Sequence, residues 1–272
     1  MTYAWNPNHP PWLPRVVTEA EYVLKQEGSS MVNASEDLQT SIIIPTYNEA
    51  NNIPLIISRI NDVFKLENLR GEIIVVDDSS PDGTGKIAES LADKYPVRVL
   101  IRRADRGLAA SVIDGIKLSE AKTCVVMDAD GSHPVEMIPE MIKPILNDSA
   151  DITVGSRYTE GGKIVDWSLR RRLISKVARA LAGGLTNMSD PTTGFMAIKR
   201  EMINQLKLNP VGWKIVLEIV VRLGSKRMIE IPITFEDRQF GQSKMGIREQ
   251  WNYIRHLYHL YRYKFSLDWR IH

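Results

Sequence analysis

Short apolar runs alternate with amphipathic stretches through the first half of the chain. The apolar runs predict strands at Ser41–Ile44, Glu72–Val76, Val97–Ile101, Thr123–Met127 and Asp151–Val154. The stretches between them space their apolar residues as one face of a helix does, and they predict helices at Ala50–Phe64, Gly83–Lys94, Leu108–Ser119 and Pro134–Leu146. Strands that are apolar on both faces and alternate with helices are typical of an α/β fold with a mostly parallel sheet flanked by helices.

The two ends of the chain depart from this alternation. Residues 1–39 are polar and irregular, and we expect an extension that precedes a main domain over 40–244. Residues 245–272 predict an amphipathic helical segment, because aromatic and aliphatic side chains fall on one stripe beside arginines. The stripe consists of Trp251, Ile254, Leu257, Tyr258, Tyr261 and Phe265, with Arg248, Arg255 and Arg262 along its edge. His256 and His259 are expected on the polar side.

A stripe of this composition suits the headgroup boundary of a bilayer. We therefore expect the segment to dock on a membrane surface or on a small membrane-embedded subunit, with packing on the main domain as the alternative. No apolar run approaches the roughly 18 residues that a membrane span needs. Met1–Pro14 lacks the apolar core of a signal peptide, so the expected location is cytoplasmic, peripheral on the cytosolic face of a membrane.

Composition narrows the class of protein further. The 272 residues are 43% hydrophobic, which is enough for a large core and excludes disorder throughout. A net charge of +2 gives no argument for a nucleic-acid partner. The single cysteine, Cys124, excludes an intramolecular disulfide, and the apolar run around it favours a core position over a reactive thiol.

Polar clusters follow the predicted strands where they end. Pro45–Glu49 follows the first strand, Asp77–Gly83 the second, and Asp128–Asp130 the fourth. Ligands of parallel α/β sheets bind beyond the carboxyl ends of the strands, so these clusters predict one binding rim. Asp128 and Asp130 can converge there on Mg²⁺ or Mn²⁺, which would keep open positions for the diphosphate of a nucleotide. A turn that caps the next helix is the alternative for an isolated Asp-x-Asp.

Glycine-rich phosphate loops are missing from this rim. No Gly-x-Gly-x-x-Gly follows the first strand, and Asp82–Ile87 lacks the first glycine and the Ser or Thr of a P-loop. We therefore expect a metal and basic side chains to bind the phosphates. Arg157 ends the fifth strand and Arg170–Arg172 open a helix, and the paired donors of arginine match phosphate oxygens.

Several of these segments together resemble family 2 glycosyltransferases of the GT-A fold. They are, in chain order, Pro45–Glu49, Val76–Thr84, Asp128–Asp130, Gly155–Tyr158 and Phe235–Lys244. The more specific segments Trp167–Ser175, Asp190–Phe195 and Arg238–Lys244 resemble those of the members that use a polyprenyl-phosphate acceptor, the dolichyl-phosphate mannose synthases. The resemblance spans roughly residues 41–264, and it implies that 40–244 is a GT-A (Rossmann-like) catalytic domain.

The resemblance implies a reaction and a set of site residues. Mannose would pass from GDP-mannose to a polyprenyl (dolichyl) phosphate, with inversion at the anomeric carbon. The residues assigned to the donor nucleotide are Pro45, Tyr47, Glu49, Val76, Asp77, Asp128, Ala129, Asp130, Arg238 and Lys244. Of these, Asp128 and Asp130 would also hold the Mg²⁺ or Mn²⁺, and Arg238 and Lys244 would close over the diphosphate from a mobile loop. Arg157, Arg171 and Ser175 would meet the acceptor phosphate.

Two details of the implied metal site depend on the residues after Asp130. Some relatives have a glutamine where this chain has Ser132, so the resemblance supplies no third protein ligand. His133 is not expected to bind the metal, because Pro134 next to it is typical of a helix start.

Two other functions are compatible with the same residues. One is a family 2 enzyme that uses UDP-glucose or a saccharide acceptor, and the other is a sugar-nucleotide sensor without activity. A sugar hydroxyl needs a carboxylate base, for which Asp78, Asp82 and Asp190 are the candidates. A phosphate monoester has a second pKa of about 6 and needs no base near pH 7.

Overall fold

The structure is a computed structural model that describes residues 38–104, 106–165, 167–204, 206, 208, 214–224, 227–235 and 247–266. The strands are β1 (Thr40–Thr46), β2 (Gly71–Asp77), β3 (Val97–Ile101), β4 (Thr123–Val126), β5 (Ile152–Ser156), β6 (Lys163–Ile164), β7 (Met196–Lys199), β8 (Met228–Pro232) and β9 (Thr234–Phe235). The helices are α1 (Ile53–Leu66), α2 (Thr84–Leu91), α3 (Leu108–Leu118), α4 (Ile138–Leu146), α5 (Leu169–Ala182), α6 (Arg200–Asn204), α7 (Ile215–Leu223) and α8 (Ile247–Phe265). A 3₁₀ turn at Val135–Met137 precedes α4.

The strands of the described ranges form one large sheet and a short two-stranded ribbon. The order in the large sheet is β3-β2-β1-β4-β7-β5-β8, and β6 pairs with β9 in the ribbon. All neighbours in the large sheet are parallel except β7, which runs antiparallel to both β4 and β5. The predicted α/β fold with a mostly parallel sheet is confirmed, and all five predicted strands are present. The antiparallel strand β7 was not predicted.

Alternate residues of the central strands pack on opposite faces of the sheet. Ile42 and Ile44 of β1 belong to the core under α1 and α4, whereas Ile43 between them belongs to the core under α3 and α7. Both faces are therefore covered, which explains why these strands are apolar at successive positions. Gly115 of α3 permits close packing, because a Cβ at this residue would lie 2.4 Å from Cγ2 of Ile43.

Helix α8 packs on the main domain through a third apolar cluster. Tyr253, Leu257 and Leu260 of α8 lie against Ala182 of α5 and Leu217 of α7 in this cluster. The expected docking position on a membrane is therefore wrong for Leu257, which is only 5% exposed and packs on the main domain, as the alternative for this segment predicts. Trp251, Ile254, Tyr258 and Phe265 of the stripe are exposed.

The prediction for His256 is also wrong. His256 is 3% exposed, and its Nε2 lies 3.4 Å from Oε2 of the buried Glu218 on α7. His259 is exposed, as expected. Nearly all of the predicted N-terminal extension and the side chain of Arg248 lie outside the described residues. Among the described helices, none combines the length and the apolar character that crossing a bilayer requires.

Candidate active site at the carboxyl edge of the sheet

The loops after β1 and β2 are joined by hydrogen bonds at one edge of the sheet. The backbone N–H of Asn48 donates to Oγ of Ser80 at 3.0 Å, and that of Glu49 donates to Oγ1 of Thr84 at 2.9 Å. These bonds bring together the polar clusters that follow the first two strands. This agrees with the prediction of one binding rim beyond the carboxyl ends of the parallel strands. Tyr47, from the same loop, is 40% exposed at this edge.

Asp77 organises the loop after β2. Its Oδ1 accepts hydrogen bonds from Oγ1 of Thr46 at 3.0 Å and from Oγ of Ser80 at 2.5 Å, and its Oδ2 accepts one from the N–H of Ser80 at 2.8 Å. The side chain is 2% exposed. Asp77 therefore shapes the predicted nucleoside pocket, and direct contact with a nucleoside stays a prediction.

Three other residues that were predicted to bind the nucleotide lie in or beside the sheet. Val76 is completely buried and Ala129 is 3% exposed, and both side chains belong to the core. A nucleotide would therefore reach these two residues through their backbone. Pro45 is partly exposed near the end of β1 and pairs with Val76 of β2, next to Asp77.

Asp128 and Asp130 follow β4 closely and differ in exposure. The side chain of Asp128 is 36% exposed, whereas Asp130 is 4% exposed. Oδ1 of Asp130 accepts hydrogen bonds from the N–H of Ser132 at 3.0 Å and from its Oγ at 2.6 Å. Ser132 therefore orients a carboxylate. In the described ranges, no three His, Cys, Asp or Glu side chains gather as a metal cluster.

This donor set fits a hard divalent cation that is shared with a nucleotide. Mg²⁺ in nucleotide enzymes is commonly held by one or two carboxylates and by the phosphates of the substrate. Two carboxylates, one of them accessible at the edge of the sheet, meet that requirement without a third protein ligand.

His133 supports Asp128 from the core. Its Nδ1 accepts a hydrogen bond from the backbone N–H of Asp128 at 3.0 Å, and its ring stacks on Phe195 with centroids 5.2 Å apart. Complete burial lowers the pKa of His133, so the ring is neutral and carries its proton on Nε2, 3.9 Å from Oδ2 of Asp128. Gly194 leaves room for both groups, because a Cβ there would lie 3.3 Å from Cε1 of His133 and 3.5 Å from that oxygen.

Arg157, at the end of β5, is bound to Asp190. Its Nε and Nη2 donate to the two carboxylate oxygens at 2.6 and 2.7 Å, and Nη2 also donates to Oγ1 of Thr192 at 2.7 Å. Asp190 is fully buried; burial opposes its ionisation, yet the bonds from Arg157 hold the pKa of Asp190 below its ordinary value. Among the described residues, nothing accepts a hydrogen bond from Nη1 of Arg157, so this group can still meet an anion.

A cavity of about 390 Å³ lies between the end of β5 and helix α5. Its lining consists of Arg157, Tyr158, Ile164, Arg172, Lys176 and Arg179. We call it the cationic cavity. Arg172 belongs to the arginines that were predicted from the sequence, whereas Lys176 and Arg179 were missed, although their spacing of four and three residues from Arg172 places all three cations on one face of a helix.

Two residues that were predicted to bind the acceptor lie close to this cavity without being part of its lining. Arg171 stacks on Trp167, with its Cζ 4.1 Å from the ring centroid. Oγ of Ser175 lies 2.8 Å from Oη of Tyr158, and Ser175 is 7% exposed. Arg157, Arg171 and Ser175 are thus gathered in one region of the molecule, around the side chains of Trp167 and Tyr158.

Lys214 is a further cation that was not predicted. It is 6% exposed and donates from Nζ to the backbone carbonyl of Thr192. Burial, and then the charge of Arg157, lower the pKa of Lys214 to about 7. No sequence pattern points to this residue, because it precedes an apolar run.

The three candidate bases already serve structural roles. Asp78 accepts a hydrogen bond from Nη1 of Arg102 at 2.6 Å, within a buried ion pair. Asp82 accepts hydrogen bonds from the N–H and Oγ1 of Thr84 at 3.0 and 2.6 Å, and although burial opposes its ionisation, its pKa is lowered. Asp190 is paired with Arg157. A carboxylate with a lowered pKa is a poor base near neutral pH.

The two residues assigned to the closing loop, Arg238 and Lys244, lie outside the described residues.

The predicted core position of Cys124 is confirmed, since its side chain is fully buried and burial raises the pKa of its thiol to about 12.

The amino-acid sequence is similar to that of a known protein family over most of the chain. The family model for glycosyl transferase family 2 matches residues 41–207. A dolichol-phosphate mannosyltransferase of Pyrococcus furiosus is 42% identical over 85% of this chain, and the chain spans 66% of the length of that relative. A dolichol-phosphate mannosyltransferase of Saccharomyces cerevisiae is 36% identical over 85% of this chain and 90% of its own length.

A solved structure supports the fold independently. Glucosyl-3-phosphoglycerate synthase of Mycobacterium tuberculosis, in complex with Mn²⁺, uridine diphosphate and phosphoglyceric acid, aligns with a TM-score of 0.61. The alignment covers 85% of this chain and 80% of the other, at 18% identity. At that identity the likeness concerns the fold alone.

Proposed function

The chain belongs to glycosyl transferase family 2, and we propose that within this family it transfers mannose from GDP-mannose to a polyprenyl phosphate of the dolichyl type, with inversion. The relatives that are named for dolichol-phosphate mannosyl transfer support the acceptor and the sugar. The proposal does not rest on these names alone, because the site favours one class of acceptor over another.

The observation that carries the proposal is that all three candidate bases are already engaged in structural hydrogen bonds or ion pairs. Asp78, Asp82 and Asp190 each hold a structural bond, and the pKa values of Asp82 and Asp190 are lowered. A sugar hydroxyl would have to lose its proton to a group of this kind. A phosphate monoester arrives largely as an anion and needs only to be aligned and neutralised.

The side chains of the cationic cavity would neutralise the charge of the acceptor phosphate. Arg172, Lys176 and Arg179 line it together with Arg157, whose Nη1 has no hydrogen-bond partner among the described residues. Arginine pairs with phosphate oxygens through charge-assisted bonds that are about twice as strong as neutral ones. These cations offset the repulsion between the acceptor phosphate and the diphosphate of the donor.

The donor side of the site is assigned to Asp128 and Asp130. These carboxylates would hold Mg²⁺ or Mn²⁺, which would supply Lewis-acid stabilisation of the departing diphosphate. The chain's own contribution is orientation, since Ser132 fixes Asp130 and His133 fixes the backbone of Asp128. Pro45, Tyr47, Glu49 and Asp77 would line the nucleoside pocket, with Arg238 and Lys244 over the diphosphate.

Two neighbouring helices suit a lipid substrate. On α5, Leu169, Leu173, Val177 and Leu181 are all at least 47% exposed, although they are apolar. On α8, Trp251, Ile254, Tyr258 and Phe265 are at least 49% exposed, beside the exposed Arg255 and Arg262. We propose that these helices dock the protein peripherally on the cytosolic face of a membrane, where cations next to apolar side chains match anionic headgroups over an apolar interior.

The activity is tested by product analysis with radiolabelled sugar nucleotides. The protein is incubated with GDP-mannose or UDP-glucose, with Mg²⁺ or Mn²⁺, and with a short polyprenyl phosphate, the matching polyprenol or a free saccharide. We expect mannolipid only from GDP-mannose with the polyprenyl phosphate, and none in the presence of a chelator. Transfer to the polyprenol or to the saccharide would contradict the argument that Asp78, Asp82 and Asp190 are not available as bases.

Membrane docking is tested by flotation with liposomes of neutral or anionic lipids. We expect Leu173→Asp and Trp251→Ala each to reduce binding to anionic liposomes. Leu66→Asp is the matched control, because Leu66 is 82% exposed at the opposite edge of the sheet. Equal binding by all three variants, with the domain folded, would contradict docking through α5 and α8.

A further inference from the structure

Tyr158 links the end of β5 to helix α5 across the cationic cavity. Its Oη lies 2.8 Å from Oγ of Ser175, and this is a side-chain hydrogen bond between the two elements that flank the cavity. Its ring lies 3.7 Å from Cζ of Arg179 and 5.7 Å from Cζ of Arg157, measured to the ring centroid. Tyr158 is therefore in contact with a hydroxyl and two of the cations that surround the cavity.

The direction of the hydrogen bond decides what Ser175 can offer to an anion. Each hydroxyl has one proton to donate, and either residue can be the donor in this bond. An ionised phosphate only accepts hydrogen bonds, so Ser175 can bind it only with its own proton. That proton is available when Tyr158 donates to Ser175 and is used up when Ser175 donates to Tyr158.

We propose that Tyr158 is a positioning residue for the acceptor phosphate. It donates its hydroxyl proton to Oγ of Ser175 and thereby leaves Ser175 as a donor to the phosphate. Its ring meanwhile holds the guanidinium of Arg179 at the wall of the cavity. This inference rests on the proposed function, because it takes the anion in the cavity to be the acceptor of the transfer.

The geometry also separates this role from simple packing. Ser175 is 7% exposed, so few groups can reach its Oγ, and within the described part of the chain Tyr158 is the only residue that forms a hydrogen bond with this oxygen. The hydroxyl of Tyr158 can be removed without loss of the ring, which would keep the contact with Arg179. A phenylalanine at this position therefore tests the proton donor alone.

The experiment compares Tyr158→Phe, Ser175→Ala and the double variant with the wild type. The readouts are the KM for a short polyprenyl phosphate, the KM for GDP-mannose, kcat and the Tm. We expect Tyr158→Phe to raise the KM for the lipid phosphate by about 2-fold to 10-fold, the range of one net hydrogen bond, and to leave the KM for GDP-mannose unchanged. In the Ser175→Ala background the same change should have no further effect.

Tyr95→Phe is the matched control. In the wild type, Oη of Tyr95 donates to Oγ of Ser58 at 3.4 Å, between the segment that leads into β3 and helix α1. The control variant therefore also loses a tyrosine–serine hydrogen bond, but one that lies away from the cationic cavity. This variant should keep the wild-type KM for both substrates.

The possible outcomes separate the two proposals. Wild-type transfer to the lipid phosphate with an unchanged KM in Tyr158→Phe would overturn the positioning role alone. Fully additive effects in the double variant, or a matching rise in the KM for GDP-mannose, would overturn it as well. Failure of the wild type to use any polyprenyl phosphate would overturn the proposed function, and an increase that is confined to the lipid-phosphate KM and vanishes without Ser175 would support both.

Discussion

Replacing Arg157 with alanine should damage the fold and the reaction for different reasons. The guanidinium is the charged partner of Asp190, which is fully buried, and it is also one of the cations of the cationic cavity. Removal of one partner of a buried ion pair typically costs about 3 to 5 kcal/mol, because a charge is left without compensation. For a domain of this size the Tm should fall by roughly 6 to 20 °C.

A paired substitution separates the two effects. In Arg157→Met with Asp190→Asn the buried charge is gone, and the amide oxygen can still accept the backbone N–H of residue 157, which lies 3.1 Å from the carboxylate in the wild type. We expect the double variant to recover most of the stability that Arg157→Ala loses, as measured by thermal unfolding. Its use of polyprenyl phosphate should stay as low as that of Arg157→Ala, since the cation is still missing.

Two results would refute this reasoning. A Tm within about 2 °C of the wild type in Arg157→Ala would show that Asp190 does not depend on this partner. Recovery of lipid-phosphate transfer together with stability in the double variant would show that Arg157 acts only as a structural partner.

Three further substitutions test other parts of the structure. Asp128→Asn should weaken Mn²⁺ binding in the presence of GDP at least about tenfold, as measured by paramagnetic resonance titration, and unchanged affinity would contradict the metal assignment. Lys214→Met should stabilise the protein more at pH 7 than at pH 10, because between its folded pKa of about 7 and its higher unfolded pKa Lys214 binds a proton only in the unfolded chain, so that the wild type gains stability as the pH rises; a difference that is constant with pH would contradict this. Gly184→Ala should lower the Tm, because its Cβ would lie 2.6 Å from Oη of Tyr261, and a smaller loss is expected in a Tyr261→Phe background.

The edge of the sheet at which the donor site is proposed could be predicted from two features of the local sequence that indicate the same edge. Apolar runs such as Ile42–Ile44 mark buried parallel strands, and parallel strands deliver their following residues to one edge. The loop with Asp77 and the turn with Asp128 and Asp130 are within a few residues of such strands. Their approximate positions therefore follow from local sequence alone.

The acceptor side could be predicted only in part, because its contacts are not local. Arg157 and Asp190 are 33 residues apart, and they meet because β7 runs antiparallel beside β5 and brings the preceding turn to the end of that strand. No periodicity predicted β7, which has only four residues. The sequence therefore predicted a phosphate-binding role for Arg157 without revealing its buried partner.

Helix α8 shows a second limit of pattern reasoning. The 3.6-residue period tells which side chains share a face, but not which part of that face is covered by the rest of the molecule. Leu257 and Trp251 were placed on one stripe, yet Leu257 packs on α5 and α7 while Trp251 is 67% exposed. The division between them depends on Leu217 and Ala182, which belong to other elements of the fold.

Helix α5 connects the chemistry of the proposed acceptor to its lipid chain. Taking about 100° per residue from Leu169, the buried Ser175 and the partly buried Ala178 lie near 240° and 180°, and the cavity cations Arg172, Lys176 and Arg179 lie between about 280° and 340°. The exposed apolar residues Leu169, Leu173, Val177 and Leu181 follow directly, between about 0° and 120°. The phosphate-binding face and the apolar face of one helix are thus adjacent. A molecule whose anionic end enters the cationic cavity has an apolar surface beside it for a hydrocarbon chain, which a sugar acceptor would leave unused. The order of side chains around α5 therefore favours a lipid phosphate independently of the structural bonds that occupy Asp78, Asp82 and Asp190.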